Sequence, residues 1–358
     1  MKYVLTLLLL SLAFWSLNAV GSDESETLTF SLIPPKQPIV IFGDAWEIYA
    51  EGFIDAQAAN RLESLIEKHN ISPYSVLYLN SLGGSLGGGI ELGRIIRKHG
   101  LSTSVGRYGN GKEQPNESAQ CFSACALAYL GGRFRYFNDR NAFGVHRFYS
   151  VRRLENEEDR AQILSAFIVS YLQEVGIPGR FFIEMTRAGP KDIILLSKAE
   201  LETLGVVNNG FEPTRWSIEA LPGADSALYL KGERDTQYGI NKFIILCEPE
   251  ERELVLLIIF DPQGRQDEVL AMRAISLIIN SKSYPVNSLL NDKQKIINDW
   301  VNAEFSLSAP FVDLIMGADT VGMAFQLGHD APTFLGFQGM KFADGRPLLR
   351  GLRAACGG

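Results

Sequence analysis

Histidine and cysteine are scarce in this chain, with four of each in 358 residues. So few cysteines exclude a disulfide-stapled mini-scaffold. No histidine or cysteine quartet has zinc-ligand spacing, so no metal is expected. Clustered positive charge is lacking too. Thirty-four Lys and Arg face forty-one Asp and Glu, for a formal charge of −7. Phosphate backbones are held by clustered Lys and Arg, so no nucleic-acid partner is expected. Beyond residue 20 no apolar run is long enough to span a bilayer, which excludes a polytopic membrane protein. Tandem repeats and low-complexity segments are absent. What remains is an ordinary globular composition, 46% hydrophobic and 21% charged, at a length that predicts two domains.

The one long apolar run opens the chain. Lys2 precedes an uncharged stretch from Tyr3 to Trp15, then small or polar residues (Ser16, Asn18, Ala19, Gly21), then acidic residues from Asp23. This is the layout of a secretory signal, with cleavage expected after Ala19 or Gly21. An uncleaved anchor is the alternative, because the run through Val20 almost spans a bilayer. Either way the rest of the chain is expected outside the cytoplasm, periplasmic or secreted in a bacterial host, where cysteines oxidise.

Along the mature chain, 38–42 and 46–54 read as strands. Asp55 is placed to cap a helix that buries Ala58, Ala59, Leu62, Leu65 and Ile66. Residues 75–80 form a short apolar strand. A glycine cluster and a helix to Gly100 follow, then a strand over 101–105. Such alternation predicts βαβ units around a largely parallel, buried sheet. Residues 107–120 are polar and read as a loop. An apolar helix is expected over 122–130, a strand over 142–148 and a long helix over 156–175. Ser197 and Glu200 fit a capping box opening one more helix. After about residue 210, alternating runs over 241–247, 253–260 and 274–279 separated by turns predict an antiparallel β domain, with a last helix over 345–355. The boundary is expected near Glu212 and Pro213.

Three segments carry chemistry. In Asn80-Ser-Leu-Gly-Gly84, two glycines between a buried strand and a helix allow a sharp turn with exposed N–H groups, which can hold a developing oxyanion; a plain turn is the bland reading. In Cys121-Phe-Ser-Ala-Cys125, Ser123 opens an apolar helix, which suits a nucleophile beside an unpaired N–H and equally suits a helix cap. His146 sits in or at the end of an apolar strand, where its ring needs a partner. His69 and His99 lie at polar helix ends, and His329 falls in the second domain.

Together these segments resemble the ClpP/crotonase superfamily on its protease side. That family's pattern is a strand, Asn-Ser-Pro-Gly-Gly and a helix; then a serine opening a buried helix; then a strand ending in histidine; then an aspartate before a Leu-Ser helix. Here the matches are Asn80 to Gly84, Ser123, His146, and Asp192 before Leu196-Ser197 and Leu204 to Val207, in order over about residues 38–210. The chain looks most similar to exported ClpP-like proteins with a Cys-x-Ser-x-Cys segment.

The resemblance implies a ClpP-like α/β βαβ spiral domain, placed over 22–212; with the segments read above, the expected layout is a signal peptide over 1–21, that domain, and a smaller, mostly antiparallel β domain over 213–358. It implies a serine peptidase with Ser123 as nucleophile, His146 as general base and Asp192 as orienting acid. The N–H groups of Gly83 and Ala124 would form the oxyanion hole. A peptide or protein substrate, no cofactor and a homo-oligomer follow from it. Membrane association would run only through the N-terminal signal or anchor.

The chain departs from the pattern at Leu82, in place of proline, at Ala124 and Cys125, and in the longer 107–120 loop. Asp192 stands one residue further from its Leu-Ser landmark, so Glu184 and Asp139 are fallback acids. A Ser–Lys dyad through Lys112 or Lys191 is a variant. The competing readings are a catalytically inactive scaffold of the cell envelope and an acyl-CoA enzyme, the latter disfavoured by export. Four cysteines allow three connectivities; 121–125 with 247–356 is the one expected, provided Cys121 precedes the helix, since a plain helical i, i+4 pair points poorly for a disulfide.

Overall fold

A computed structural model describes residues 27–35, 45–108, 118–148, 157–189, 192–221, 228–248, 253–329, 331 and 333–356. The expected N-terminal signal, the strand expected over 38–42, most of the expected 107–120 loop, Lys112 and Lys191 lie outside the described residues. Among those described, the fold is mixed α/β, with several sheets and nine helices.

The first half runs β1 (Thr29–Ile33), β2 (Glu47–Glu51), α1 (Ala58–His69), β3 (Val76–Asn80), α2 (Leu86–Lys98), β4 (Ser102–Val105), β5 (Gln120–Phe122), α3 (Ala124–Leu130), β6 (Arg135–Tyr136), β7 (Ala142–Val145), α4 (Glu157–Glu174), α5 (Arg180–Arg187), β8 (Ile194–Leu195) and α6 (Lys198–Thr203). Strands β2, β3, β4 and β6 are parallel neighbours in that order, and β1 adds antiparallel to the β2 edge. A small second sheet pairs β5 parallel with β7 and β7 antiparallel with β8.

Local chemistry sets the boundaries. Ser85 caps α2, its hydroxyl accepting the Gly88 N–H at 3.2 Å. Ser197 and Glu200 form the expected capping box at α6. Asp55 does not cap α1 itself: the cap position is Gln57, whose N–H Asp55 accepts at 2.8 Å while also pairing with Arg61. That guanidinium holds the Asp55 carboxyl down at about 2.

The second half runs β9 (Arg215–Ala220), β10 (Leu228–Thr236), β11 (Gly239–Glu248), β12 (Glu253–Phe260), α7 (Gln266–Ala271), β13 (Ala274–Ile279), β14 (Lys282–Pro285), β15 (Lys295–Ile297), β16 (Trp300–Leu307), α8 (Ala309–Met316), β17 (Thr320–Gln326), β18 (Leu335–Lys341) and α9 (Gly345–Ala355). Every pairing here is antiparallel. Six strands form one sheet, in the order β15, β16, β12, β11, β10, β9, and four form another, β14, β13, β17, β18.

Buried apolar side chains fall into two clusters, one drawn from Leu28 to Val207 and one from Leu230 to Cys356. Polar contacts join them: Arg133 to Asp235 at 2.5 Å, Tyr136 to Gln237 at 2.8 Å, and the 210–212 backbone to the β10–β11 turn. The cysteines pair as expected, Cys121 with Cys125 and Cys247 with Cys356, at Cα separations of 5.1 and 5.7 Å. The first is possible because Cys121 lies in β5, ahead of α3.

Candidate active site

The expected helix over 122–130 begins two residues late, and the difference shapes the site. Gln120 to Phe122 extend as β5, because their backbone is claimed from both sides. Register pairs Cys121 with Phe143 and Phe122 with Gly144 on β7, while on the other side the Ser81 N–H donates to Gln120 O at 2.7 Å and Ser81 O accepts the Phe122 N–H at 3.0 Å. Ser123 then turns the chain from strand to helix with φ 58° and ψ −120°. A non-glycine residue there costs about 1–3 kcal/mol and persists only where its surroundings over-determine it. They do so here. The Ser123 N–H donates to Gly144 O at 3.1 Å, its carbonyl accepts the Ala126 N–H at 3.0 Å, and the Cys121–Cys125 bridge spans the turn. A strained strand-to-helix serine is the geometry that exposes a hydroxyl above a sheet. The Ser123 side chain makes no capping bond, so the plain helix-cap reading does not describe it.

Ala124 is the first residue of α3, and its N–H therefore has no partner within the helix. Gly83 abuts the same spot. A Cβ on Gly83 would stand 2.8 Å from Ser123 Cβ and 3.3 Å from Ala124 N, and the backbone there has φ +110°. Only glycine fits. The Gly83 N–H is itself engaged, donating to Ser81 Oγ at 3.1 Å, while the Ser81 hydroxyl reaches Gly83 O at 3.2 Å. Ser81 is thus a site residue that the sequence reading passed over, although it stands inside the motif singled out.

His146 is the residue after β7 and is partly buried. The bond from Ser123 to Gly144 and the parallel β5–β7 register bring the serine turn and the histidine to the same end of the small sheet. His146 Nδ1 lies 2.7 Å from Arg147 O. A carbonyl oxygen only accepts, so Nδ1 carries the proton and Nε2 is the basic nitrogen.

Asp192 sits two residues before β8, whose Ile194 pairs with Val145, and this register carries it toward Arg147. Its N–H donates to Gly189 O at 3.2 Å, and its carboxylate lies beside the Gly189 Cα, where the Arg147 guanidinium also arrives. Arg147 Nε donates to Ala188 O at 2.9 Å. The position at Nδ1 expected for Asp192 is therefore held by a backbone carbonyl that sequence reading could not have flagged. Of the fallback acids, Glu184 pairs with Arg187 at 2.7 Å and Asp139 is exposed in a turn. Apolar side chains flank the site in the open: Leu82 is 71% exposed and Leu195 61%. Among the described residues no cluster of His, Cys, Asp and Glu could hold a metal ion, and no helix is long and apolar enough to cross a membrane.

No protein-family model and no curated protein matches the chain. Among solved structures it is similar to the 1510-N membrane-bound stomatin-specific protease. The likeness to a serine-to-alanine mutant covers 45% of this chain and 75% of that one, at 18% identity and a TM-score of 0.33. For a lysine-to-alanine mutant in complex with a substrate peptide the figures are 45%, 71%, 20% and 0.34. At this level the likeness assigns no residue of this chain a role.

Proposed function

We propose that the chain is an exported serine peptidase with a ClpP-like domain over residues 22–212 and a separate β domain over 213–358. The observation that carries this reading is the strained strand-to-helix turn at Ser123, built against Gly83 and followed by the Ala124 N–H, which has no partner within its helix. Ser123 Oγ attacks the acyl carbon of a peptide bond. His146 Nε2 takes its proton and returns it to the leaving amine, and water then releases the acyl group by the same path reversed. Ala124 N–H meets the oxyanion. Gly83 N–H joins it by exchanging its bond to Ser81, which is the rearrangement the reading requires. The Arg147 carbonyl fixes the imidazole tautomer, and Asp192, whose carboxylate lies beside the Arg147 guanidinium, acts on the histidine only indirectly. Leu82 and Leu195 line the approach, so the substrate is a peptide with apolar side chains near the cleaved bond. Two disulfides suit an oxidising compartment, periplasmic or secreted. A homo-oligomer follows from the family resemblance alone.

A catalytically inactive scaffold is the second reading, favoured by one observation: the Gly83 N–H already has a partner. A fluorophosphonate probe on oxidised protein separates the two. Labelling that is lost in Ser123→Ala is expected. Absence of labelling in folded, oxidised wild-type protein overturns the peptidase.

A further inference from the structure

Strand β10 alternates cleanly. Leu230, Gly232, Arg234 and Thr236 face inward, while Lys231, Glu233 and Asp235 are partly exposed. Arg234 is 5% exposed, so a full guanidinium charge sits on the core-facing side of a sheet. Its Nη2 donates to Gln338 O at 2.8 Å, but its Nε is buried without a partner, and among the described residues no carboxylate pairs with it. The ring of Phe211 lies under the guanidinium, 4.9 Å from centroid to Cζ. Burial draws the pKa of the group down to about 10.

Arg135 in the first half is the internal comparison. It is as deeply buried, at 3% exposed, yet it gives Nε, Nη1 and Nη2 to the carbonyls of Val206, Gly132 and Gly205. Each nitrogen of the Arg135 guanidinium thus meets a carbonyl, whereas Arg234 is short of partners; Arg97 Nη1 and Arg346 Nε are also buried without one, but both side chains are about one-third exposed and each lies near a carboxylate, Glu212 and Asp319. A buried charge without a counter-charge is costly unless something supplies one.

What adjoins Arg234 is a cavity of about 360 Å³, within the range of small-ligand sites. Phe211, Phe260 and Phe337 give it apolar walls, and the buried Asn241 adds a polar group. Two other charged groups face it. Asp261 has Oδ1 occupied by the Gln263 N–H at 2.8 Å, and Arg265 is paired with Glu268 at 2.6 Å.

We propose that this cavity binds a carboxylate carried on an apolar, ring-sized group, the carboxylate accepting from Arg234 and the apolar group lying against the wall formed by Phe211, Phe260 and Phe337. An inorganic anion would leave the aromatic walls unused. A neutral apolar ligand would leave the guanidinium unpaired. The carboxylate comes either from a free small acid or from the C-terminus of a polypeptide ending in an aromatic residue. The site is independent of Ser123 and stands whether or not the peptidase reading holds.

The test is titration calorimetry on the oxidised full chain with four probes: 3-phenylpropionate, acetyl-Ala-Ala-Phe with a free carboxylate, and the amide of each. At least one acid should bind at least tenfold more tightly than its amide, and raise the melting temperature of wild-type protein where the amide does not. Arg234→Gln should lose this preference and Arg234→Lys keep part of it. Binding of the tripeptide alone assigns a polypeptide terminus; binding of phenylpropionate alone, or of both equally, assigns a free acid. Acid and amide binding equally, neither acid binding below millimolar concentration, or an unchanged preference in folded Arg234→Gln would each overturn the proposal. The wild-type comparison decides it even if the variant does not fold.

Discussion

Replacing both Cys247 and Cys356 with serine opens a loop whose ends lie 109 residues apart in sequence. That loop holds most of the second apolar cluster, including β12, α7 and β13 to β18. In the chain-entropy account, closing about 110 residues removes about 16 cal/mol/K from the unfolded ensemble, or about 4.8 kcal/mol at 25 °C. The Cys121–Cys125 bridge has a sequence separation of four and on the same basis is worth only about 2 kcal/mol. The long bridge also ties α9 to β11, so its loss frees the terminal helix to fray. At about 3 °C per kcal/mol for a unit of this size, the Cys247→Ser/Cys356→Ser protein should melt about 15 °C below wild type. The Cys121→Ser/Cys125→Ser protein should lose about 6 °C or less. Calorimetric melting of the two double variants under non-reducing conditions measures both shifts. Equal shifts, or a loss under about 2 kcal/mol for the long bridge, would refute the argument from loop length.

The short bridge should act on chemistry instead: Cys121→Ser/Cys125→Ser, still folded, is expected to lose fluorophosphonate labelling rate at Ser123 by tenfold or more, read by gel fluorescence over time. Asp192→Asn should lower peptide hydrolysis by tenfold at most, because the Arg147 carbonyl already holds His146; a fall near 10⁴, as where an acid alone fixes the tautomer, would return the orienting role to Asp192. Gly89→Ala places a Cβ 2.4 Å from Ala124 O and should cost about 1–3 kcal/mol in denaturant unfolding, whereas Gly87→Ala meets nothing within 4 Å and should gain about 0.5–1 kcal/mol of helix stability. The Asp55 carboxyl is held down at about 2 in the folded chain, chiefly by its hydrogen bond to Arg61, so its contribution is present above about pH 4 and is lost as pH falls toward 2. Arg61 is well exposed, which cuts that contribution to about 1 kcal/mol; Asp55→Asn should remove this part of the acid sensitivity in unfolding curves taken between pH 2 and 5.

Long periodic elements were legible from the residues alone. Helices α2 and α9, the capping box at Ser197, and the apolar runs of β11 to β13 follow from spacing because burial on one face or both is what formed them. Short strands were not. Arg135 and Tyr136 form β6 although two residues carry no period, and Gln120 to Phe122 form β5 in front of an apolar stretch that reads as helix throughout. In both, tertiary pairing overrides local pattern. The β10 strand was hidden for a different reason: its outward Lys231, Glu233 and Asp235 suggest a solvated segment, and only the inward Leu230, Gly232, Arg234 and Thr236 reveal a sheet. Within the candidate site, side chains were readable and backbone was not. Ser123 and His146 stand at one end of one small sheet. The Arg147 carbonyl and the engaged Gly83 N–H carry no side-chain signature at all.

The α2 helix owes its position to atoms it does not have. A Cβ at Gly89 would strike Ala124 O, and one at Gly93 would strike the Tyr171 hydroxyl. Helix α2 therefore lies flush on the α3 backbone at Gly89 and against the Tyr171 side chain of α4 at Gly93, and α3 begins with the residues beside Ser123. Substitution at a buried leucine leaves a void that neighbours can partly fill, but substitution at these glycines can only push. Mutational tolerance around the serine should accordingly be closed to the addition of a single methyl group along one face of α2, a restriction separate from the cavity cost of shortening the surrounding core side chains.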